Sequence, residues 1–347
     1  MSTHVAVPVP LSMPERGRPT TATATATARQ IGPYTIVTRL DSHLPAHTPV
    51  PERRYIARSA DGDRTVLLST PLPTTDPQRF MTEAATSRYL LGPWALPATE
   101  LATPALESAT SQLAAPTAES TPALTPIPTP WHAHPYTPAL PLPIALAVNG
   151  GPLPERTVLA LAVALAEALA VVHGQELTYA GLCPAAVLLA ADGPRLGCFG
   201  AVRAAVPDGV PRFGVPGLDA GSLAPEQAAG GQPRPLGDVY ALGAALAYAA
   251  TGHVAPERRE LPGALRSLVT RCLARDPAHR PQLSDILTEL ASDSPTAVPA
   301  RSGGSGGSGV GSRADSLLGA GWLPARVVAA VVHQSASVLA AEVQLSE

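Results

Sequence analysis

Apolar positions in this chain follow two different periods. In the first third they alternate. Ile31–Leu40 (IGPYTIVTRL) reads as a strand, and Tyr55–Arg58 with Arg64–Ser69 (RTVLLS) reads as a hairpin turned at Asp61-Gly62-Asp63. From Pro154 onward the period is helical. Pro154–His173 (PERTVLALAVALAEALAVVH) is apolar round nearly its whole circumference, which predicts a buried helix opened by Pro154 with Glu155 in its first turn. DPQRFMTEAATSRYLLG predicts a helix capped by Asp76 and ended by Gly92, with Phe80, Ala84, Ser87 and Leu91 on one face. Val187–Leu189 and Arg195–Cys198 read as short strands joined at Asp192-Gly193-Pro194. Further helices are predicted at Gly237–Gly252 and Ser284–Leu290.

Other stretches carry no such period. Residues 1–29, with the repeat TATATATA, are too poor in apolar side chains to bury a core and predict disorder. Residues 97–130, rich in Thr, Pro, Ala and Ser, predict a long surface loop. Residues 291–316 contain GGSGGSG and predict a flexible linker. In the final segment, 317–347, Leu323, Val327, Val331 and Val338, following Trp322, make an apolar stripe on a short helix. That stripe has two readings: packing back on its own domain, or docking on a partner.

Composition narrows the function classes. A net charge of −3 and a pI near 6.3 argue against a nucleic-acid or acidic-membrane surface as the main partner. All 24 basic residues are Arg, and Asn149 is the one asparagine, as expected of a G+C-rich genome. Cys183, Cys198 and Cys272 are odd in number and widely spaced, giving neither a disulfide framework nor zinc spacing; a reducing cytoplasm is the expectation. The N-terminus reads as no secretion signal, and the apolar helix at 156–173, interrupted by Glu167, reads as a core helix rather than a membrane span.

Several motifs recur in a fixed order. Ala224-Pro225-Glu226 is followed by GDVYALGAALAYAATG at 237–252 and by RCLARDPAHRP at 271–281. Together with Phe199-Gly200 and Pro184, this ordered set resembles the bacterial, actinobacterial form of the serine/threonine protein kinase family over about residues 31–290. The W-L-P tail is similar to tails that follow kinase-like domains in actinobacterial chains. The resemblance implies an α+β, two-lobed kinase fold: a small β-rich lobe over 30–135 carrying one helix, and a larger helical lobe over 144–290. It also implies an ion pair between Glu226 and Arg280, while Asp238 itself reads as the cap of the helix through Ala250 and as a group that reaches buried amides.

The chemical residues of that family are replaced in this sequence. Ser69 stands at the phosphate-binding Lys, Gly181 at the catalytic Asp of H-R-D, Ala186 at the Asn and Cys198 at the Asp of D-F-G, the last two being magnesium ligands in the family. Asp41–Arg58 replaces the glycine-rich loop with a glycine-free segment containing three prolines. Leu67 takes the small-residue position over adenine, and Pro135, Pro138, Pro141 and Pro143 remove hinge amides, so a closed cleft is expected. Glu83, whose family partner is the missing Lys, has Arg54, Arg58 or Arg64 as candidate partners, with a solvated carboxylate the favoured reading. Ser222 is the one hydroxyl residue of the activation-segment stretch 201–223, which gives poor support to a phosphorylation switch.

These readings converge on a pseudokinase that acts as a protein-binding scaffold or allosteric regulator, with no cofactor and with another protein, a kinase or its substrate, as partner. The alternatives are an unconventional ATP-using kinase with Mg, and a redox-responsive thiol pair at Cys183 and Cys198.

Overall fold

The computed structural model describes residues 30–45, 47–102, 129–292 and 313–344. The expectations for residues 1–29 and for most of 97–130 and 291–316 lie outside them. The alternating positions build one antiparallel sheet from β1 (Gln30–Ile31), β2 (Tyr34–Arg39), β3 (Glu52–Ser59), β4 (Thr65–Pro71), β5 (Glu100–Ala102) and β6 (Trp131–Pro135), in the order β1-β2-β3-β4-β6-β5. β5 falls inside the stretch expected to be a loop and pairs with β6. Register sets Arg54 opposite Ser69 and Ile56 opposite Leu67. Side chains alternate along a strand, so Glu52, Arg54 and Ile56 share one face, and all three are buried. Tyr34, Tyr55, Leu68 and Trp131 form a separate cluster within the same lobe.

One helix joins this sheet. α1 (Pro77–Ser87) starts where Asp76 accepts from the Gln78 and Arg79 amides. It stops at Ser87, a turn before Gly92, so Leu91 is left 60% exposed instead of completing the buried face.

The larger lobe holds a second antiparallel sheet of β7 (Ala139–Pro141), β8 (Val187–Ala190) and β9 (Gly193–Leu196). β9 ends two residues before the expected Cys198, whose backbone turns left-handed at φ 62 and cannot continue a ladder. Around the sheet lie α2 (Leu142–Asn149), α3 (Glu155–Gly174), α4 (Ala201–Ala205), α5 (Pro225–Ala228), α6 (Pro235–Thr251), α7 (Gly263–Cys272) and α8 (Leu283–Ser292). α3 is long and apolar enough to cross a membrane, but it packs on α6 and α8, and Val158, Leu161, Leu165 and Leu169 are at most 1% exposed.

After the undescribed stretch the chain returns to the large lobe. α9 (Arg313–Leu317) lies within the span expected to be linker, with Ala314 buried and its amide donated to Glu167. Trp322 and Leu323 then precede α10 (Ala325–Gln344), which packs on α2, β7 and β2. Trp322, Leu323, Val327, Val331 and Val338 are all buried against the chain's own body. Of the two readings of the stripe, the structure takes the first.

Candidate functional site

Ser69, Gly181, Ala186 and Cys198 converge between the lobes. Ser69 is buried on β4 and donates to Glu52 Oε1 at 3.0 Å. Cys198 Sγ donates to the same oxygen at 3.5 Å. His132, on β6, lies 3.4 Å from Glu52 Oε2. Arg54, also buried, places Nη2 2.5 Å and Nε 3.2 Å from the two oxygens of Asp41, donates through Nη1 to the Ala185 carbonyl at 2.8 Å, and approaches Cys198 Sγ at 4.0 Å.

One buried cation and two buried carboxylates thus fill the space among Ser69, Ala186 and Cys198. Burial alone would raise the Glu52 carboxyl, but the hydrogen bond and charge of His132, with Arg54 beside it, hold it down at about 2. Burial works against the Arg54 charge, and Asp41 outweighs it, raising the guanidinium above its ordinary value. Both carboxylates are therefore taken by partners within the chain. A cavity of about 20 Å³ remains beside Glu52, His132, Cys198 and Glu83, room for little more than one water.

Backbone geometry at Gly181 sets a second constraint. A Cβ built there would lie 1.8 Å from the Cys198 carbonyl oxygen, a backbone atom that cannot swing away. The loop therefore follows a path that excludes any side chain at this position, including an aspartate. Ala180 and Cys198 on either side of this contact are left-handed non-glycine residues, with φ of 50 and 62. Ala186 is buried in a short 3-10 turn, Pro184–Ala186, and its carbonyl accepts from Gly197.

The scaffold residues meet as the resemblance implies, with two differences. Arg280 donates to both Glu226 oxygens at 2.6 and 2.8 Å and to the Ala274, Leu236 and Arg275 carbonyls. Phe199 stacks edge-on against Tyr179 and lies beneath the Arg203 guanidinium. Asp238 accepts from the Tyr179 and Ala180 amides at 2.7 and 2.8 Å and bonds His173. It sits in the first turn of α6, not at its cap, which is Arg234.

Glu83 is not solvated, and none of the three expected arginines pairs with it. Arg203 donates to both its oxygens, at 2.8 and 2.6 Å, while Arg54 is held by Asp41 and Arg64 by Glu100. The missing Cβ of Gly200, at φ 71, makes room for the Glu83 side chain. Ser222 is buried and donates to Asp219. Cys183 and Cys198 are free thiols in one small cluster. Burial pushes Cys183 up to about 12 and Cys198 well above its ordinary value, which keeps both protonated and weakly nucleophilic.

The position expected for adenine is closed. Leu40, Ile56 and Leu67 from the small lobe, Ala139, Leu188 and Ala190 from the large lobe, and Val338 of α10 form one buried cluster. The Ala139 amide on the connection between lobes donates to Gln334 of α10 at 3.0 Å. Sequence reasoning missed Asp41, Glu52, His132, Arg203 and Gln334, and it offered Arg54 to Glu83 when its partner is Asp41. For Arg54 a signal existed: with Ile56 facing inward, a period of two places Arg54 and Glu52 inward as well.

A likeness to known proteins accompanies this geometry. A probable serine/threonine-protein kinase, PkwA of Thermomonospora curvata, is 31% identical over 286 residues, covering 76% of this chain and 34% of that protein. The serine/threonine-protein kinase AfsK of Streptomyces coelicolor is 28% identical over 285 residues, covering 76% of this chain and 32% of that protein. The homologues of this chain are bacterial serine/threonine protein kinases. A crystallised mutant of the Mycobacterium tuberculosis PknI kinase domain superposes with a TM-score of 0.52 at 21% identity, covering 77% of this chain and 99% of that domain. The kinase-homologous chain therefore has the two-lobed protein kinase fold. It spans about a third of the length of the relatives it matches, 34% and 32%. No protein-family model matches it.

Proposed function

We propose that this chain is a pseudokinase: a kinase fold that binds another protein, a kinase or its substrate, and transfers no phosphoryl group. The observation that carries the reading is the Arg54–Asp41–Glu52–Cys198 network, which fills the place where a triphosphate and its metal would be handled. Phosphoryl transfer depends on positioning and on cations that neutralise charge in the transition state. At the four family positions stand Ser69, Gly181, Ala186 and Cys198, none of which ligates magnesium as a carboxylate or carries positive charge. Loss of a general base alone typically costs about 10²–10⁴-fold, and parts that act as a unit fail as a unit. Three free, buried cysteines suit a reducing cytoplasm as the place of action.

Thermal unfolding of the whole chain with and without millimolar ATP and magnesium tests the nucleotide side of this reading. A ligand at 100 times its dissociation constant adds about 2.7 kcal/mol, a rise of roughly 5 °C or more at about 2 °C per kcal/mol for a body of this size. The expected shift is zero. A rise of that size, dependent on magnesium, would return the chain to the ATP-using class.

A further inference from the structure

Gln334 and Val338 lie one turn apart on α10 and reach two different features of the cleft mouth. The Gln334 carboxamide oxygen accepts from the Ala139 amide at 3.0 Å and from the Tyr136 hydroxyl at 3.2 Å. Val338 packs into the cluster made by Leu40, Ile56 and Leu67 above and Leu188 below. Val327 and Val331 continue the same line along the large lobe, so the contacts of α10 are spaced four, three and four residues apart, as a helix laid in a groove requires, with Leu323 buried just ahead of it. The flank of α10 is different. Val332 is 61% and Leu339 58% exposed, so this helix is half seated, unlike α3.

We propose that the cleft mouth is a helix-binding groove, that α10 is its resident ligand, and that a protein partner binds by replacing α10 with an amphipathic helix of the same pattern. The pattern is an apolar residue at the places of Val327, Val331 and Val338 and a side-chain acceptor at the place of Gln334. This rests on the binding role proposed above and names its surface. A covered Ala139 amide needs an acceptor, so an incoming helix that lacks one leaves a buried donor unpaired; this is the element of specificity. The resident helix is tethered and competes at an effective concentration on the order of millimolar, which keeps the groove shut to weak binders.

The test uses the full chain and a fluorescent peptide of residues 320–344. The chain carrying Gln334→Ala and Val338→Ser should bind this peptide at least 10-fold more tightly than the unchanged chain. Val332→Ser, on the exposed flank, should behave as the unchanged chain, and a peptide carrying Gln334→Ala and Val338→Ser should not bind. Equal binding to the loosened and unchanged chains, or none to the loosened chain, overturns the proposal. If the loosened chain does not fold, hydrogen exchange on the unchanged chain decides. The Ala139 amide and the α10 amides should exchange together, at least 10-fold faster than those of α3. Protection of Ala139 as long as that of α3 would mean that α10 does not leave, and would equally overturn the proposal. Phosphate transfer by the chain would sink the pseudokinase reading without touching the peptide result, whereas an unbound peptide sinks this proposal alone.

Discussion

Arg54 shows how one residue redirects a site. On β3 it occupies an inward position that the strand period assigns to it, and its guanidinium is held by Asp41 and the Ala185 carbonyl. The same network makes the fold sensitive to acid in two steps. The His134 imidazole, whose Nδ1–H donates to the Pro97 carbonyl, is pushed down to about 4 by burial and by His132, against an ordinary 6.5. Glu52 is held at about 2 against 4.5. In both cases the unfolded chain takes up the proton first. Their contributions are complete above 6.5 and 4.5, and are lost as pH falls from 6.5 to 4 for His134 and from 4.5 to 2 for Glu52. Urea midpoints measured against pH should show both limbs. His134→Gln should flatten the upper limb and Glu52→Gln the lower; limbs that persist unchanged in these variants would contradict the assignment.

At the scale of elements, the readings that rest on periodicity and ordered motifs hold best. The Arg280–Glu226 bridge and the buried α3 follow from residues that sit on regular helices or next to them. Irregular backbone was less legible. The left-handed turn at Cys198, the early end of α1 at Ser87 and the pairing of Glu83 with Arg203 come from tertiary packing that no local pattern encodes. Nor does a local pattern show that Gly181 has no space for a side chain, which arises from the path of the Cys198 carbonyl. One consequence concerns attempts to restore the family residues. Gly181→Asp should not be accommodated by the loop as it stands, because its Cβ meets backbone. It should instead destabilise the chain by at least the ~1–3 kcal/mol typical of overpacking, read from chemical denaturation. A Gly181→Asp chain of unchanged stability would show that the loop relaxes freely.

For the whole molecule, the C-terminal segment is part of the folded body. Trp322 is 2% exposed, donates Nε1–H to the Ala191 carbonyl at 2.8 Å, and accepts at its own carbonyl from Thr157 at 2.6 Å. Trp322→Ala should cost about 3–5 kcal/mol, the usual range for a buried aromatic, in an unfolding transition followed by circular dichroism. A loss below about 1 kcal/mol would place this segment outside the cooperative unit. From the sequence, the W-L-P stripe could pack at home or elsewhere; its position over the cleft depends on Gln334, a polar residue between apolar neighbours that periodicity alone passes over.

On the pseudokinase reading proposed above, architecture and chemistry have separated in this chain. The Glu226–Arg280 bridge and the Asp238 contacts hold a kinase fold together, while Ser69, Gly181, Ala186 and Cys198 stand where the charged groups would be. The most direct measurement is transfer of radiolabel from γ-labelled ATP with magnesium, onto the chain itself and onto general protein acceptors, against a heat-denatured control. The account predicts identical counts in both samples. Label incorporated by the native chain and absent from the denatured one would contradict it.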